Sequence, residues 1–292
     1  MLREEFIIEV FCLISSLLKK INYNLRQRGP KPALFDEEIL TMEVIGEFLR
    51  LDGDKEIHSY FKYHWFHYFP RMGDRSAFVR QSANLWNVKQ LLQKELANQL
   101  LAFQDNFHIV DGFPMPICNF RRAYFSKIFK GIAGYGHCAS KNQTYYGFKG
   151  HLLISLNGVI TDFALTPANT DERDAALDFS ETINGVLIGD KGYIGRKDDF
   201  KNSNIDLETP LRSNMKDNRP TWAIKMLNDA RRLIETVIGQ LTERFNIEKI
   251  RARDMWHLTS RIWRKLLAHT ICIFVNVKKN NEFLTFEGLV VC

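Results

Sequence analysis

The chain has 292 residues, with 40 Lys and Arg against 34 Asp and Glu, a formal charge of +6 and a pI near 9.0. Apolar residues make up 45% and charged residues 25%, the profile of a soluble globular protein of one large or two smaller domains. This excludes a disordered tail, a collagen-like repeat and a disulfide-held mini-protein.

Five scattered cysteines (Cys12, Cys118, Cys138, Cys272 and Cys292) form no CxxC pair and read as reduced thiols. No run reaches the ~18 apolar residues of a membrane span. Phe6 to Leu18 could pass for a signal peptide, but Glu4, Glu5 and Glu9 and the following Lys19 and Lys20 favour a buried helix. A cytoplasmic chain with no membrane partner is expected.

The first hundred residues read as helices. After Phe6 to Leu18, Asp36 is placed to cap a second helix over Glu37 to Leu51. Ile57 to Tyr68 is dense in aromatics, and Leu85 to Phe103 carries apolar residues at a 3.6-residue period. His64 and His67 read as aromatic packing, since no third metal ligand accompanies them.

The character changes near residue 105. Phe107 to Asp111 is a short apolar strand ending in a carboxylate. Asn119, Arg121, Arg122, Lys127 and Lys130 follow in a loop-like insert. Gly147 to Ser155 and Gly158 to Leu165 flank Leu156-Asn157-Gly158, a hairpin signal. Thr170 to Asp174 resembles a helix start. Gly185 to Asp190 is a second buried strand ending in Asp, and Ile205 to Leu211 a third candidate. Trp222 to Phe245 and Leu258 to Val277 are long helices. That order predicts an α/β fold: a ribonuclease-H-like mixed sheet flanked by helices, behind an all-α N-terminal region. The division expected is a helical part over 1–104, for DNA binding or dimerisation, and a catalytic part over 105–292 with basic C-terminal helices.

From Arg231 to Lys279 there are eleven basic and four acidic residues, leaving a balance of −1 for all the rest. Interleaved with Trp256, His257 and Trp263, this excess suits phosphates and stacked bases. A solvated helix face is the plainer reading.

Three acids stand out. Asp111 and Asp190 end strands, and Glu235 lies mid-helix among Leu233, Ile234, Val237 and Ile238. Oxygen ligands so placed suit hard divalent cations, and two such ions can serve in-line phosphoryl displacement. Taken singly, an Asp after a strand is often a turn residue. Glu235 beside Arg231 is often an i, i+4 ion pair.

The motifs Val110-Asp111-Gly-Phe-Pro-Met-Pro-Ile-Cys118, Tyr145-Tyr-Gly-Phe-Lys149, Leu165-Thr-Pro-Ala-Asn169, Gly189-Asp-Lys-Gly-Tyr193 and Arg231-Arg-Leu-Ile-Glu-Thr236 carry a resemblance. The chain resembles insertion-sequence transposases of the DDE type, most closely the small bacterial IS family nine-eight-two, over nearly its whole length. The resemblance implies that Asp111, Asp190 and Glu235 are catalytic and bind two Mg²⁺ ions, with Mn²⁺ as a substitute. It implies cleavage at transposon ends and strand transfer into target DNA, by a homodimer on terminal inverted repeats. Lys191, Arg231, Arg232, Arg244, Lys249, Arg251 and Arg253 are the DNA-contact candidates. Many relatives carry a Tyr three residues before the helix Arg and a Lys seven after the Glu. Here those places hold Asn228 and Thr242, so contacts at transposon ends must come from elsewhere, with Arg244 and Lys249 as candidates. The alternatives are a ribonuclease-H-like nuclease without strand transfer and a non-catalytic DNA-binding descendant.

Overall fold

Two buried patterns organise the chain: helices with one or more apolar stripes, and strands whose two faces are both covered. In a computed structural model, residues 1–23, 31–51, 53–138, 141–171, 179, 183–195, 197–200, 204–211 and 214–290 are described. The chain divides into two units, Met1–Leu96 with Leu241–Cys292, and Ala97–Gln240.

The first unit is helical. It contains α1 (Arg3–Ile21), α2 (Asp36–Phe48), α3 (Asp54–His64), α4 (Arg75–Asn84), most of α5 (Trp86–Gln99) and, near the C-terminus, α8 (Met255–Lys278). Helix α2 packs on α1, α3, α4 and α8 and is buried from Glu38 to Phe48. Asp36 is not its side-chain cap: the helix starts at Asp36, and the Phe35 N–H donates to Glu38 Oε2 at 2.6 Å. A glutamate at the third helical position reaches the N-cap amide better than a residue already inside the helix. Asp36 instead accepts from Gln81 Nε2. His64 ends α3 against Tyr60, and His67 packs beside Trp65 and Tyr68 beyond the helix.

The basic stretch read from the sequence is not one surface. Arg264 Nε bonds Glu47 Oε1 at 2.6 Å and Arg264 Nη1 bonds Asp54 Oδ1 at 2.7 Å. Lys265 Nζ meets Glu47 Oε2 at 2.7 Å, and Lys89 Nζ meets Glu43 Oε1 at 2.8 Å. Arg264, Lys265, Lys89, Glu43 and Glu47 are all at most 3% exposed, and Trp263 is buried too. Burial alone would raise the Asp54 carboxyl, but the Arg264 and Arg261 guanidiniums hold it well below the usual carboxylate range. Burial lowers Arg264 as well, but Glu47, Asp54 and Glu43 drive it above its ordinary value. Charges that leave water need partners, and these found them on distant helices.

The second unit is built on a curled, six-stranded mixed sheet. Its strands are β1 (Phe107–Asn119), β2 (Gly134–Cys138), β3 (Gln143–Ser155), β4 (Ile160–Pro167), β5 (Gly185–Ile188) and β6 (Ile205–Glu208). The order is β2-β3-β1-β5-β6, with β4 also on β3. Strand β3 is long enough to pair with β2 through 143–147 and with β4 through 148–154 on the edge away from β1. Strands β5 and β6 run parallel to β1, β3 runs antiparallel to β1, and β4 antiparallel to β3. The chain order of a strand, a hairpin, two more strands and a long helix is the one the sequence predicted, but β2 lies where a loop-like insert was expected. The helix start at Thr170 to Asp174 falls mostly outside the described residues.

Strand β1 runs eight residues past Asp111, where the sequence suggested an end and a loop-like insert. Two prolines there argue against a central strand. They fit because β5 pairs with β1 only over Phe107–Ile109, leaving the rest of that edge open. The short helix α6 (Phe120–Ala123) and turns then lead into β2.

One face of the sheet buries Val110, Leu153, Leu187, Ile205 and Leu207 beneath Phe179, Ile183, Tyr193 and Phe200. Helix α7 (Thr221–Glu243) follows the sheet. Its Leu227, Ala230, Ile234, Val237 and Leu241 make a buried stripe at helical spacing. Among the described residues no helix is long and apolar enough to cross a membrane. Among the described residues Cys12, Cys118, Cys138 and Cys272 form no disulfide.

Candidate active site

Strand register sets the position of two of the acids. Ile109 on β1 pairs with Ile188 on β5 in parallel. Asp111 and Asp190 each lie two residues beyond that pair. Side chains alternate along a strand and paired residues share a face, so both carboxylates stand on the same side of the sheet, opposite the Val110–Leu187 core. Neighbouring strands are about 4.8 Å apart. The end of a parallel pair is also where open α/β sheets bind ligands.

The motif around Asp190 has a local physical cause. Gly189 falls on the core face, and an added Cβ would come within 2.8 Å of the Tyr193 ring. Its absence lets Tyr193 fold back and seal the core at 1% exposure. Between them the chain makes a short 3₁₀ turn, Lys191–Tyr193. The Gly192 N–H donates to Asp190 Oδ1 at 2.5 Å, and a Cβ at Gly192 would sit 2.8 Å from that oxygen. The turn therefore fixes the carboxylate, and Lys191 projects from it into solvent. On β1, the Gly112 N–H donates to Asp111 Oδ1 at 2.8 Å.

Glu235 is placed differently. It lies off the buried stripe of α7, 53% exposed, and Arg231 Nε bonds its Oε1 at 2.9 Å. Among the described residues no group of three or more His, Cys, Asp or Glu side chains could hold a metal ion. The register thus puts Asp111 and Asp190 on one face of adjacent strands, and among the described residues the three acids do not gather into a metal-holding group.

The other candidates divide by unit. Arg232 is exposed, 3.7 Å from Asp229. In the helical unit, the Arg244 guanidinium lies 4.8 Å from the Phe48 ring centroid, and burial lowers its pKa. Lys249, Arg251 and Arg253 are exposed.

Sequence reasoning missed Arg219. It bonds Glu208 Oε2 at 2.9 Å, the Thr209 carbonyl at 3.0 Å and Asp217 Oδ2 at 2.8 Å. Hydrogen bonds from Arg219 hold the Asp217 carboxyl below its usual value. Glu208 pairs with Ile188 and so shares the face of Asp190. Arg219 comes immediately before Pro220 and α7, tying the start of the Glu235 helix to the end of β6. The alternation of Ile205-Asp-Leu-Glu208 was the available signal, since it turns Glu208 away from the core.

A family model described as a transposase DDE domain matches residues 101–255, just over half of the chain. The chain belongs to the DDE transposase family. No curated protein and no solved structure matches it. The matched DDE domain includes Asp111, Asp190 and Glu235, and it spans β1 to the start of α8. A divalent metal is usual for this transposase family. The two aspartates fit one: they are hard oxygen donors on one face of adjacent strands, and like charges at strand spacing favour a cation between them.

Proposed function

We propose that this transposase cuts DNA at the terminal inverted repeats of its element and joins the freed ends to target DNA. The reading includes the finer placement in the bacterial IS family nine-eight-two and action at the nucleoid in the cytoplasm. The observation that carries it is the equal register of Asp111 and Asp190, each two residues past the last pair of the parallel β1–β5 ladder. The helical part and the sheet with its long helix then divide the labour between DNA handling and chemistry, and a homodimer on DNA brings two ends together.

Asp111 and Asp190 would hold divalent ions, Mg²⁺ or Mn²⁺, with Glu235 as the third ligand once it leaves Arg231. Bound there, the metal acidifies water and neutralises charge on the phosphodiester. The chain's own part is positioning. Gly192 and Gly112 amides orient the two carboxylates. Lys191 is placed beside Asp190 to meet a strand phosphate. Arg219 sets the start of α7, and with it the place of Glu235. No side chain is required as a covalent nucleophile, so orientation and charge complementarity carry the catalysis.

The test is end cleavage and joining in Mg²⁺, using a duplex that carries the element's terminal repeat. Wild type should cut and join, and Asp190→Asn should do neither. Cutting without joining would support the nuclease alternative. Specific binding with no metal-dependent cutting would support the non-catalytic one.

A further inference from the structure

The helical unit has a cleft of about 320 Å³ between the start of α3, the start of α4 and the segment before α8. Seven of its thirteen lining residues are basic and two are acidic. Asp54 is already engaged, bonded by Arg261 and Arg264. The exposed Glu56 carboxylate stays at the cleft as a single negative charge, against which the exposed cations remain in excess. Arg264 and Lys265 are committed to Glu47 beneath the cleft floor. The remaining basic side chains, Lys55, Arg75, Lys249 and Arg251, are exposed, and no ion pair to them occurs among the described residues. The floor adds no compensating negative charge, since Glu43, Glu47 and Asp54 face Lys89, Arg261, Arg264 and Lys265.

Four cations held around one concavity repel each other unless an anion sits among them. We propose that this cleft seats the sugar–phosphate backbone of duplex DNA. The proposal rests on the transposase reading and adds a site to it. A polymer fits better than a small nucleotide. The cations come from three separate chain segments around a half-open cleft, and its apolar lining is limited to Val79 and Ile250, with no ring to stack a base. Phosphate contacts of this kind position DNA without reading its sequence. Arg261 is a positioning residue here, because its guanidinium bonds Asp54 and the Arg251 carbonyl and so holds the rim segment.

The experiment is fluorescence anisotropy of a labelled DNA duplex against the full chain over a range of salt. The variants are Lys55→Gln/Lys249→Gln/Arg251→Gln and, as a second and overlapping set, Lys55→Gln/Arg75→Gln, each checked for unchanged thermal melting. Lys225→Gln, at an exposed position of α7, serves as the control in the other unit. The triple variant should bind roughly ten-fold more weakly or worse. Its log K against log salt slope should be shallower by about 2–3, since each phosphate contact contributes about 0.9. Lys225→Gln should bind nearly as wild type does. Wild-type binding with unchanged affinity and slope in both cleft variants would overturn the cleft and leave the transposase reading standing. Displacement of the duplex by ATP at equal phosphate concentration would also overturn it, in favour of a nucleotide pocket. No duplex binding by wild type would overturn both.

Discussion

The two units handle charge in opposite ways. The helical unit draws carboxylates and cations inside and pairs them at most 3% exposed, as Arg264 and Glu47 are. The sheet unit leaves its charged groups at strand ends and on helix flanks, where Arg231 and Glu235 are 46% and 53% exposed. Buried pairs define which helices meet but cannot easily rearrange. Exposed groups contribute little to stability and stay available for chemistry. What is kept apart is buried, paired charge and exposed charge, and the cleft cations of the helical unit belong with the exposed groups.

That contrast can be broken first at the sheet. Asp190→Asn keeps an oxygen for the Gly192 amide but removes the charge. End cleavage should fall by at least about 10²–10³-fold, the scale of losing one charged transition-state contact, while thermal melting stays put. Loss of melting together with activity would make Asp190 a structural residue.

The second break is in the helical unit. Arg264→Met strands Glu47, Asp54 and Glu43, and should cost about 3–5 kcal/mol by denaturant unfolding. Arg219→Met in the sheet unit removes a partly exposed cluster, 25% accessible, and should cost about 1 kcal/mol. Equal costs would erase the contrast.

Acid sharpens it next. Burial pushes His269 of the helical unit down to about 3, and burial together with Lys149 pushes His151 of the sheet down to about 4. Both lie below the unfolded value of 6.5, so below 6.5 the unfolded chain binds protons that the folded chain refuses. Stability from each histidine is complete above pH 6.5 and is lost downward toward its folded pKa, by about 1.4 kcal/mol per pH unit. Unfolding followed separately in the two units by hydrogen exchange should show both weakening over that window. His151→Gln should flatten the dependence in the sheet alone.

Smaller still is Arg231→Gln, whose i, i+4 pair should change stability by no more than about 0.5 kcal/mol. At Cys272, burial pushes the thiol up to about 12, so native alkylation should label exposed Cys12 and spare Cys272. Labelling of both at equal rates would show the α8 core to be open.

How much of this could be read beforehand depended on how far apart the partners lie in the chain. Strand β5 and its Gly-Asp-Lys-Gly-Tyr turn were legible because a strand covered on both faces is a continuous apolar run, and the glycines serve residues within four positions. The far half of β1 was not, because Pro114 and Pro116 argue against a strand unless an edge is known to be open. The basic stretch misled because Glu43, Glu47 and Asp54, the partners of Arg264 and Lys265, lie some two hundred residues earlier. A tally of local charge cannot see them. The pairing of Glu235 with Arg231 was legible as the plain alternative, and the helical spacing of Leu227, Ala230, Ile234 and Val237 already put it off the buried stripe.

The measurement that bears most directly on the central claim is Mn²⁺ binding by the DNA-free chain, followed by the loss of free-ion EPR signal. Wild type should bind, Asp111→Asn and Asp190→Asn should each lose binding at least roughly ten-fold, and Glu235→Gln should bind nearly as wild type does, because in the DNA-free wild type Arg231 already holds the Glu235 carboxylate. Undiminished binding in both aspartate variants would contradict the account, because the register of β1 and β5 would then have nothing to do with metal.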